Sequence, residues 1–505
     1  MYIWAQKLER KASMSTIGKQ TIKGSIYSYL GVIIGFFSVT LLRSHGLSTE
    51  QNGDLEVIIS FSVILTQFGS LGFFSASTRC FPYFRDPEKK HHGFLFLMLI
   101  VPFIGTLLIC LLFQVLKPLI FAYTDYEDFF NGYSQIILIL TAGTLLFSAF
   151  DNYNRVALVD AATGSILKEF LQKLTVACAL ALVLFFPLPF SKFIWIWLIA
   201  NLIPTVIIIF KVAKQGAIDL KPDFKFLTPP IVRMLSSVSL FAVITGLTTM
   251  IIQYIDRIMI NDMIGTSLTG IYGITAFFGT VVAMPSRIMY RIGGVIIAEK
   301  WKSGDLAGIS SIYKKSCSNQ LLIGLLLFIG IWANIHNILK MVPPEYAEGK
   351  YVILFVSLSG LIEMATGMNG VILATSKYYK YDTFFFLGLI VVTIVANYIF
   401  IPVWGITGAA AASVLSTLLF NLYRYLFIWK KFEMQPFDWR NLYIVLIGLT
   451  VLALIYYMPA LPLVPDIIIR SGVITLIYTG VIYMLKIAPE MNETINKLKE
   501  RVSRR

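Results

Sequence analysis

The sequence predicts an all-α polytopic membrane protein of 14 transmembrane helices, and three observations carry that reading. Fourteen apolar stretches run the length of the 505-residue chain. Each is about 19–25 residues long, enough for one helix to cross a hydrocarbon core of ~30 Å. The Lys and Arg residues between them fall almost wholly in alternate gaps, as cytoplasmic loops require. The widest gap is too short to fold as a separate soluble domain.

The stretches lie near residues 23–42, 55–76, 94–115, 132–152, 166–187, 192–211, 235–256, 268–290, 318–339, 350–374, 382–401, 405–428, 441–459 and 468–486. Before the first comes a basic segment, 1–22, with Lys7, Arg10, Lys11 and Lys19. It runs straight into a full-length span, so it reads as a cytoplasmic terminus rather than a signal peptide. Gly24, Ser28, Gly31, Gly35 and Ser38 form a small-residue stripe on span one, which suits close helix packing.

Further cations follow in every second gap: Arg79 and Arg85, then Arg155 and Lys168, then Lys211 and Lys214. The same parity continues with Arg287 and Arg291, with Lys377 and Lys380, with Arg424 and Lys430, and with the tail after Lys486. The opposite gaps hold only Arg43, Lys117, Lys192, Arg257, Lys340, Lys350 and Arg470 of the chain's 42 basic residues. Both termini are therefore expected to be cytoplasmic. The net charge of +14 reads as this topology signal together with attraction to anionic inner-leaflet lipids. A nucleic-acid partner is not expected, because the cations are scattered over many short segments.

The four cysteines lie in spans or at their cytoplasmic ends, where a structural disulfide is not expected. The four histidines show no metal-ligand spacing, and no cofactor or metal is expected. His91-His92 reads as a solvated pair in a basic loop.

Local matches at nearly one offset point to a duplicated six-helix unit. Asn154–Leu158 lines up with Asn369–Leu373, and Phe185-Phe186-Pro187 with Phe400-Ile401-Pro402. More loosely, the polar turn Thr49–Gly53 parallels Thr266–Gly270. The expected organisation is 23–211 (spans 1–6), a cytoplasmic linker 212–234 and 235–428 (spans 7–12). Accessory spans 13–14 at 429–486 and a basic tail 487–505 complete it. The accessory pair reads as free of charge in its apolar cores.

Charges within spans are costly and are functional candidates by default. Arg287 and Arg291 are one helical turn apart, after Pro285, which should bend span eight. They read either as a cationic cavity mouth for a diphosphate, which a guanidinium fork can bind twice, or as a helix-end pair reaching headgroups. Arg79 holds a similar place in the first half. Lys173, with Glu169 one turn before it, is either a deep cation of the same site or a local ion pair. Asp256 and Arg257 close span seven and read as a gate, an ion-coupling group or a local pair. Glu363 falls mid-span, with Gly360, Gly367 and Gly370 on its helical face. It reads equally as a coupling site or as a protonated, hydrogen-bonded interior group. Gln67, Gln253, Asn319 and Asn369 are candidate polar residues of a cavity.

Residues 397–413 read Asn-Tyr-Ile-Phe-Ile-Pro-Val-Trp-Gly-Ile-Thr-Gly-Ala-Ala-Ala-Ala-Ser. This resembles the Asn-x-x-x-Ile-Pro, Gly-x-x-Gly-Ala-Ala signature of polysaccharide flippases in the multidrug/oligosaccharidyl-lipid/polysaccharide exporter superfamily. Gly18-Lys19 before span one and Ile255-Asp256-Arg257 also resemble that family, as does the number of spans. The resemblance implies two six-helix lobes around a cavity that alternates between faces. It implies a transporter for undecaprenyl-diphosphate-linked oligosaccharide in O-antigen, capsule or exopolysaccharide synthesis at the bacterial inner membrane. H⁺ or Na⁺ would be a coupling ion, and a polysaccharide polymerase and glycosyltransferases would be associated partners. A lipid II flippase and a cation-coupled multidrug antiporter are the alternatives within the superfamily. A membrane glycan polymerase, ligase or acyltransferase is the enzymatic alternative. It is disfavoured because no large outer loop is present and the only in-span histidine, His336, lies near a helix end.

Overall fold

The computed structural model describes residues 24–493 except 25, 29, 124, 125, 161 and 187, together with residue 496. The Gly18-Lys19 motif, segment 1–22 and residues 497–505 of the tail lie outside the described residues, as does the side chain of Arg291.

The first unit, Met1–Ile258, contains α1 (Ile26–Gly46), α2 (Thr49–Gly69), α3 (Phe73–Phe84), α4 (Phe94–Tyr123), α5 (Glu127–Val156), α6 (162–185) and α7 (Phe190–Lys214). Most of α8 (Pro229–Ile264) belongs to it as well. Thr49–Gly53, expected as a polar turn, instead opens α2. The Ser48 hydroxyl accepts from Gln51 N at 3.2 Å while the Gln51 side chain accepts from Ser48 N at 3.0 Å. This reciprocal cap satisfies two otherwise orphaned donors and fixes where the helix starts. Two apolar clusters fill the unit. One is built on Phe81, Phe84, Phe94 and Phe150, the other on Ile58, Ile137, Phe193 and Trp197.

The second unit, Met259–Arg505, holds α9 (Thr266–Thr280), α10 (Met284–Ser303), α11 (Leu306–Ala333) and α12 (Ile335–Lys340). After these come α13 (Lys350–Ala365), α14 (Asn369–Thr375), α15 (Tyr379–Phe432), α16 (Trp439–Tyr456) and α17 (Leu463–Met484). Its cores are built on Leu325, Ile329, Ile444 and Tyr478, and on Ile297, Tyr313, Ile372 and Ile428.

Among the described residues, eleven helices are long and apolar enough to cross a membrane, or twelve if α13 and α14 form one bent span. The chain is a multi-pass membrane protein. Helix α15 is 54 residues long because two helical arms meet at Gly405, whose φ of 56° and ψ of −138° are not helical. Only glycine adopts that conformation without strain, so the Pro402–Gly405 signature marks a reversal of the chain.

The helix that carries span seven continues beyond Arg257 to Ile264. One expectation is corrected. Pro285 does not kink a helix interior. A 3₁₀ turn at Val281–Ala283 ends α9, and Pro285 sits in the first turn of α10, where its missing N–H has no consequence.

Candidate functional site

In the first unit the end of α1, the start of α2 and the end of α8 meet at one carboxylate. The cap at Ser48 sets Asn52 and Glu56 one turn apart on α2, both toward Arg43. Glu56 is buried; its Oε1 accepts from Arg43 Nη1 at 2.7 Å and its Oε2 from Arg257 Nε at 2.6 Å. Arg43 also donates to the Asn52 side chain at 2.8 Å and to its carbonyl at 3.0 Å. Arg257 donates to Gln253 O at 3.0 Å. Both guanidiniums share this acid, so the cluster is a joint between three helices. Asp256 beside it is buried.

The other candidates of this unit are dispersed. Gln67 packs against Gly246 of α8. Gln253 and Arg79 are exposed. Lys173 is half-buried and lies 3.8 Å from Glu169, which favours the local-pair reading.

The second unit gathers its charges around the break between α13 and α14. Gly367, with φ +60°, turns the chain there, and a side chain at this position would collide with Ser316 and Cys317. The two helices are bent by 54°. This corrects the expected single face of Gly360, Glu363, Gly367 and Gly370, because Gly370 belongs to the second helix. Glu363, half-buried in the last turn of α13, lies near Tyr290, Arg287 and Arg424. Arg287 is exposed; among the described residues it makes no hydrogen bond or close ion pair. Asn369 is buried and donates to Asn421 Oδ1 at 2.9 Å, an acceptor it shares with the Thr366 hydroxyl. Asn319, on α11, is half-buried.

Arg424 had been counted with the inner-side charges. In the structure it donates Nε and Nη2 to the two carboxylate oxygens of Asp382, at 2.8 and 3.0 Å. Its guanidinium carbon sits 3.9 Å from the centre of the Phe420 ring. The paired charge and the aromatic face hold it in place. Asp382 and Arg424 lie on the two arms of α15, at similar distances from the Gly405 reversal. That spacing was a signal in the sequence that the reading did not use. Glu56 was missed for a different reason: its partners are distant in sequence and announced by no motif.

The accessory helices are also corrected. Their interior holds a charge pair, because α17 begins at Leu463 and so places Arg470 two turns inside it. Arg470 Nη2 donates to Asp466 Oδ1 at 3.1 Å, and both residues are buried. Asp466 also accepts from Asn337 at 2.5 Å and lies 3.0 Å from His336 Nε2. This cluster ties the accessory pair to α12. Among the described residues, no group of three His, Cys, Asp or Glu is placed to hold a metal ion.

Residues 21–297 match the family described as polysaccharide biosynthesis protein. No curated protein matches the sequence. Among solved structures, the lipid II flippase MurJ in an inward closed conformation superposes with a TM-score of 0.68 at 16% identity, covering 92% of this chain and 100% of that one. An inward-facing multidrug resistance MATE family transporter of the MOP superfamily gives 0.59 at 12% identity, covering 86% and 100%. An outward-facing one gives 0.58 at 12% identity, covering 82% and 96%. At these identities the likeness is one of fold.

Proposed function

We propose, from the premise that the chain belongs to the polysaccharide biosynthesis protein family, that it flips an undecaprenyl-diphosphate-linked oligosaccharide across the bacterial cytoplasmic membrane. The product would serve O-antigen, capsule or exopolysaccharide synthesis. The observation that carries the reading is this family match over residues 21–297, on a fold like that of a flippase. The family and the fold neighbours are transporters and flippases rather than enzymes.

The topology proposed with it has fourteen crossings, six in each of two lobes and two accessory, with both termini cytoplasmic. Three features support the higher count. The 54-residue α15 contains a reversal. The helices α13 and α14, bent by 54° at their junction, have together the length and composition of one broken crossing. The helical segment 162–185 covers the fifth apolar stretch. Alternating access moves the headgroup while the lipid tail stays in the bilayer.

Arg287 is the best-supported substrate cation, because it is exposed and makes no hydrogen bond among the described residues. Arg291 follows one turn later on the same helix, and Arg79 is an exposed cation of the first unit. Guanidinium groups suit a diphosphate because one fork bonds two oxygens. Gln67, Gln253, Asn319 and Asn369 remain the polar candidates for sugar. Asp256, Arg257 and Glu363 remain the gate or ion-coupling candidates, with H⁺ or Na⁺ as the ion. Arg257 fits a gate best, since it is held to Glu56. Glycosyltransferases and a polymerase would act on either side of the transport step.

The test is complementation of a strain that lacks its oligosaccharide flippase. The wild-type chain restores surface polysaccharide, and Arg287→Ala with Arg291→Ala does not. Restored polysaccharide at normal protein level in the double variant would overturn the assigned site. The second reading, a lipid II flippase, is favoured by the superposition on MurJ. Rescue of lipid-II-flippase-depleted cells, without rescue of surface polysaccharide, would establish it instead.

A further inference from the structure

Helix α8 starts on two prolines, and its first turns have two unlike sides. Pro229 and Pro230 carry no N–H, so the donors that a helix start would offer to an anion are missing at both positions. Thr228 O accepts from Val232 N at 3.0 Å and closes the first turn. On the inner side, Phe226, Ile231, Met234, Leu235 and Val238 pack on the cluster built on Phe84 and Phe94. The approach to the helix is fixed as well. The His92 ring stacks on Phe226 with 3.8 Å between centroids, and its Nδ1 lies 2.8 Å from Asp223 Oδ2.

The outer side is different. Arg233, Ser237, Leu240 and Phe241 are exposed and share one face of α8 at helical spacing. A cavity of about 470 Å³ lies against the first two turns, lined by Pro229, Pro230, Arg233, Met234 and Ser237. That is room enough for a lipid headgroup. Arg233 is the charged residue of the lining, and it makes no hydrogen bond or ion pair among the described residues. No Asp or Glu occurs between Asp223 and Asp256 to meet it on its own helix. Arg43, Arg155 and Arg257 of the same unit are each held by an acid.

We propose that this cavity binds the phosphate of an anionic membrane phospholipid. The Arg233 guanidinium takes the phosphate oxygens, the Ser237 hydroxyl adds a donor, and the hydrocarbon chain runs along Leu240 and Phe241. The order along the helix fits an amphiphile: a cation and a hydroxyl in the first turns, then exposed apolar side chains. One guanidinium fork can give two hydrogen bonds to one phosphate, and its single charge matches that of a phosphodiester. A diphosphate carries more charge than one arginine offsets. Basic pockets on membrane-embedded helices bind anionic headgroups by this chemistry. The site belongs to the first unit and stands whether or not Arg287 binds substrate.

The test is native mass spectrometry on the full chain in detergent at about 0.15 M ammonium acetate, where diffuse attraction between exposed charges is largely screened. The probes are dimyristoyl phosphatidylglycerol, dimyristoyl phosphatidylcholine and farnesyl diphosphate. The wild type should retain phosphatidylglycerol in preference to phosphatidylcholine. Arg233→Ala should weaken phosphatidylglycerol binding by roughly tenfold, the size of a lost charge-assisted hydrogen bond. Arg233→Lys keeps the charge without the fork and should lose less. Lys225→Ala removes an exposed cation of the preceding linker and should change binding by no more than about twofold. Unchanged phosphatidylglycerol binding in Arg233→Ala, or an equal loss in Lys225→Ala, would overturn the site. Equal retention of phosphatidylcholine by the wild type would show that the chain alone is bound and would overturn it too. A larger loss for farnesyl diphosphate than for phosphatidylglycerol would overturn the occupant and give the cavity to a lipid diphosphate.

Discussion

Each unit brings arginine and glutamate together, and the two arrangements are opposites. In the first, Glu56 is buried and gives one oxygen to Arg43 and one to Arg257, so three helices meet at one carboxylate. In the second, Glu363 is half-buried near Tyr290 and Arg287, and Arg287 is exposed and makes no hydrogen bond among the described residues. The same two residue types thus make a joint in one place and, in the function proposed above, an anion site in the other. Commitment of the donors, rather than the presence of charge, separates them.

The largest effect that could break this contrast is on stability. Glu56→Ala removes the one acid shown to bridge Arg43 and Arg257 at a largely buried site and should cost about 3 kcal/mol. Thermal unfolding of the purified chain in detergent measures this, and a loss below about 1 kcal/mol would show that the cluster is wet and loosely held. Arg287→Ala should shift the same unfolding curve by no more than about 0.5 kcal/mol, as for an exposed residue.

Next in size is an electrostatic tether on the first unit. Burial alone would raise Asp160, but hydrogen bonds from Lys211 and Thr163 dominate and hold its carboxyl at about 2, below the usual 3.8. A depressed folded value means that the carboxylate stabilises the fold fully above the ordinary carboxylate range. That contribution fades as pH falls from about 4 through about 2. Asp160→Asn should therefore cost about 1 kcal/mol at neutral pH, after allowance for solvent screening. The gap between wild type and variant should close on acidification, and one that widened would contradict the assignment.

The smallest expected effect belongs to Lys173. Its 3.8 Å pair with Glu169 is half-exposed, so Lys173→Ala should change stability by about 0.5 kcal/mol or less. Surface polysaccharide in the complementation assay should stay within about twofold, an effect of the size a weak exposed pair allows. Complete loss of polysaccharide would return Lys173 to the substrate site and sharpen the contrast in its favour.

Much of the fold was legible because each apolar stretch has to be long enough to cross a bilayer and must close its backbone hydrogen bonds within itself. The reversal at Gly405 was legible too, since Pro402 and Gly405 have few other uses at that spacing. The site was less so. Arg287 was found as a charge out of place, but Arg424 was absorbed into the topology count because its partner Asp382 is on the other arm of α15. Glu56 has no signal in the sequence, because its arginine partners lie on other helices. The Glu363 face was misdrawn beyond Thr366 because no periodicity reports that Gly367 takes a positive φ and bends the axis. Ion pairs between helices depend on how the helices meet, and a pattern along one helix does not contain that.

The most direct test of the central claim is a flipping measurement in proteoliposomes. Lipid-linked oligosaccharide is placed in both leaflets, and its protection from a membrane-impermeant glycosidase is followed with time. The account predicts that the wild-type chain exposes the inner pool to digestion, and that Arg287→Ala with Arg291→Ala, reconstituted to the same density, leaves it protected. Equal digestion by the wild type and the double variant, or protection of the inner pool with the wild type, would contradict it.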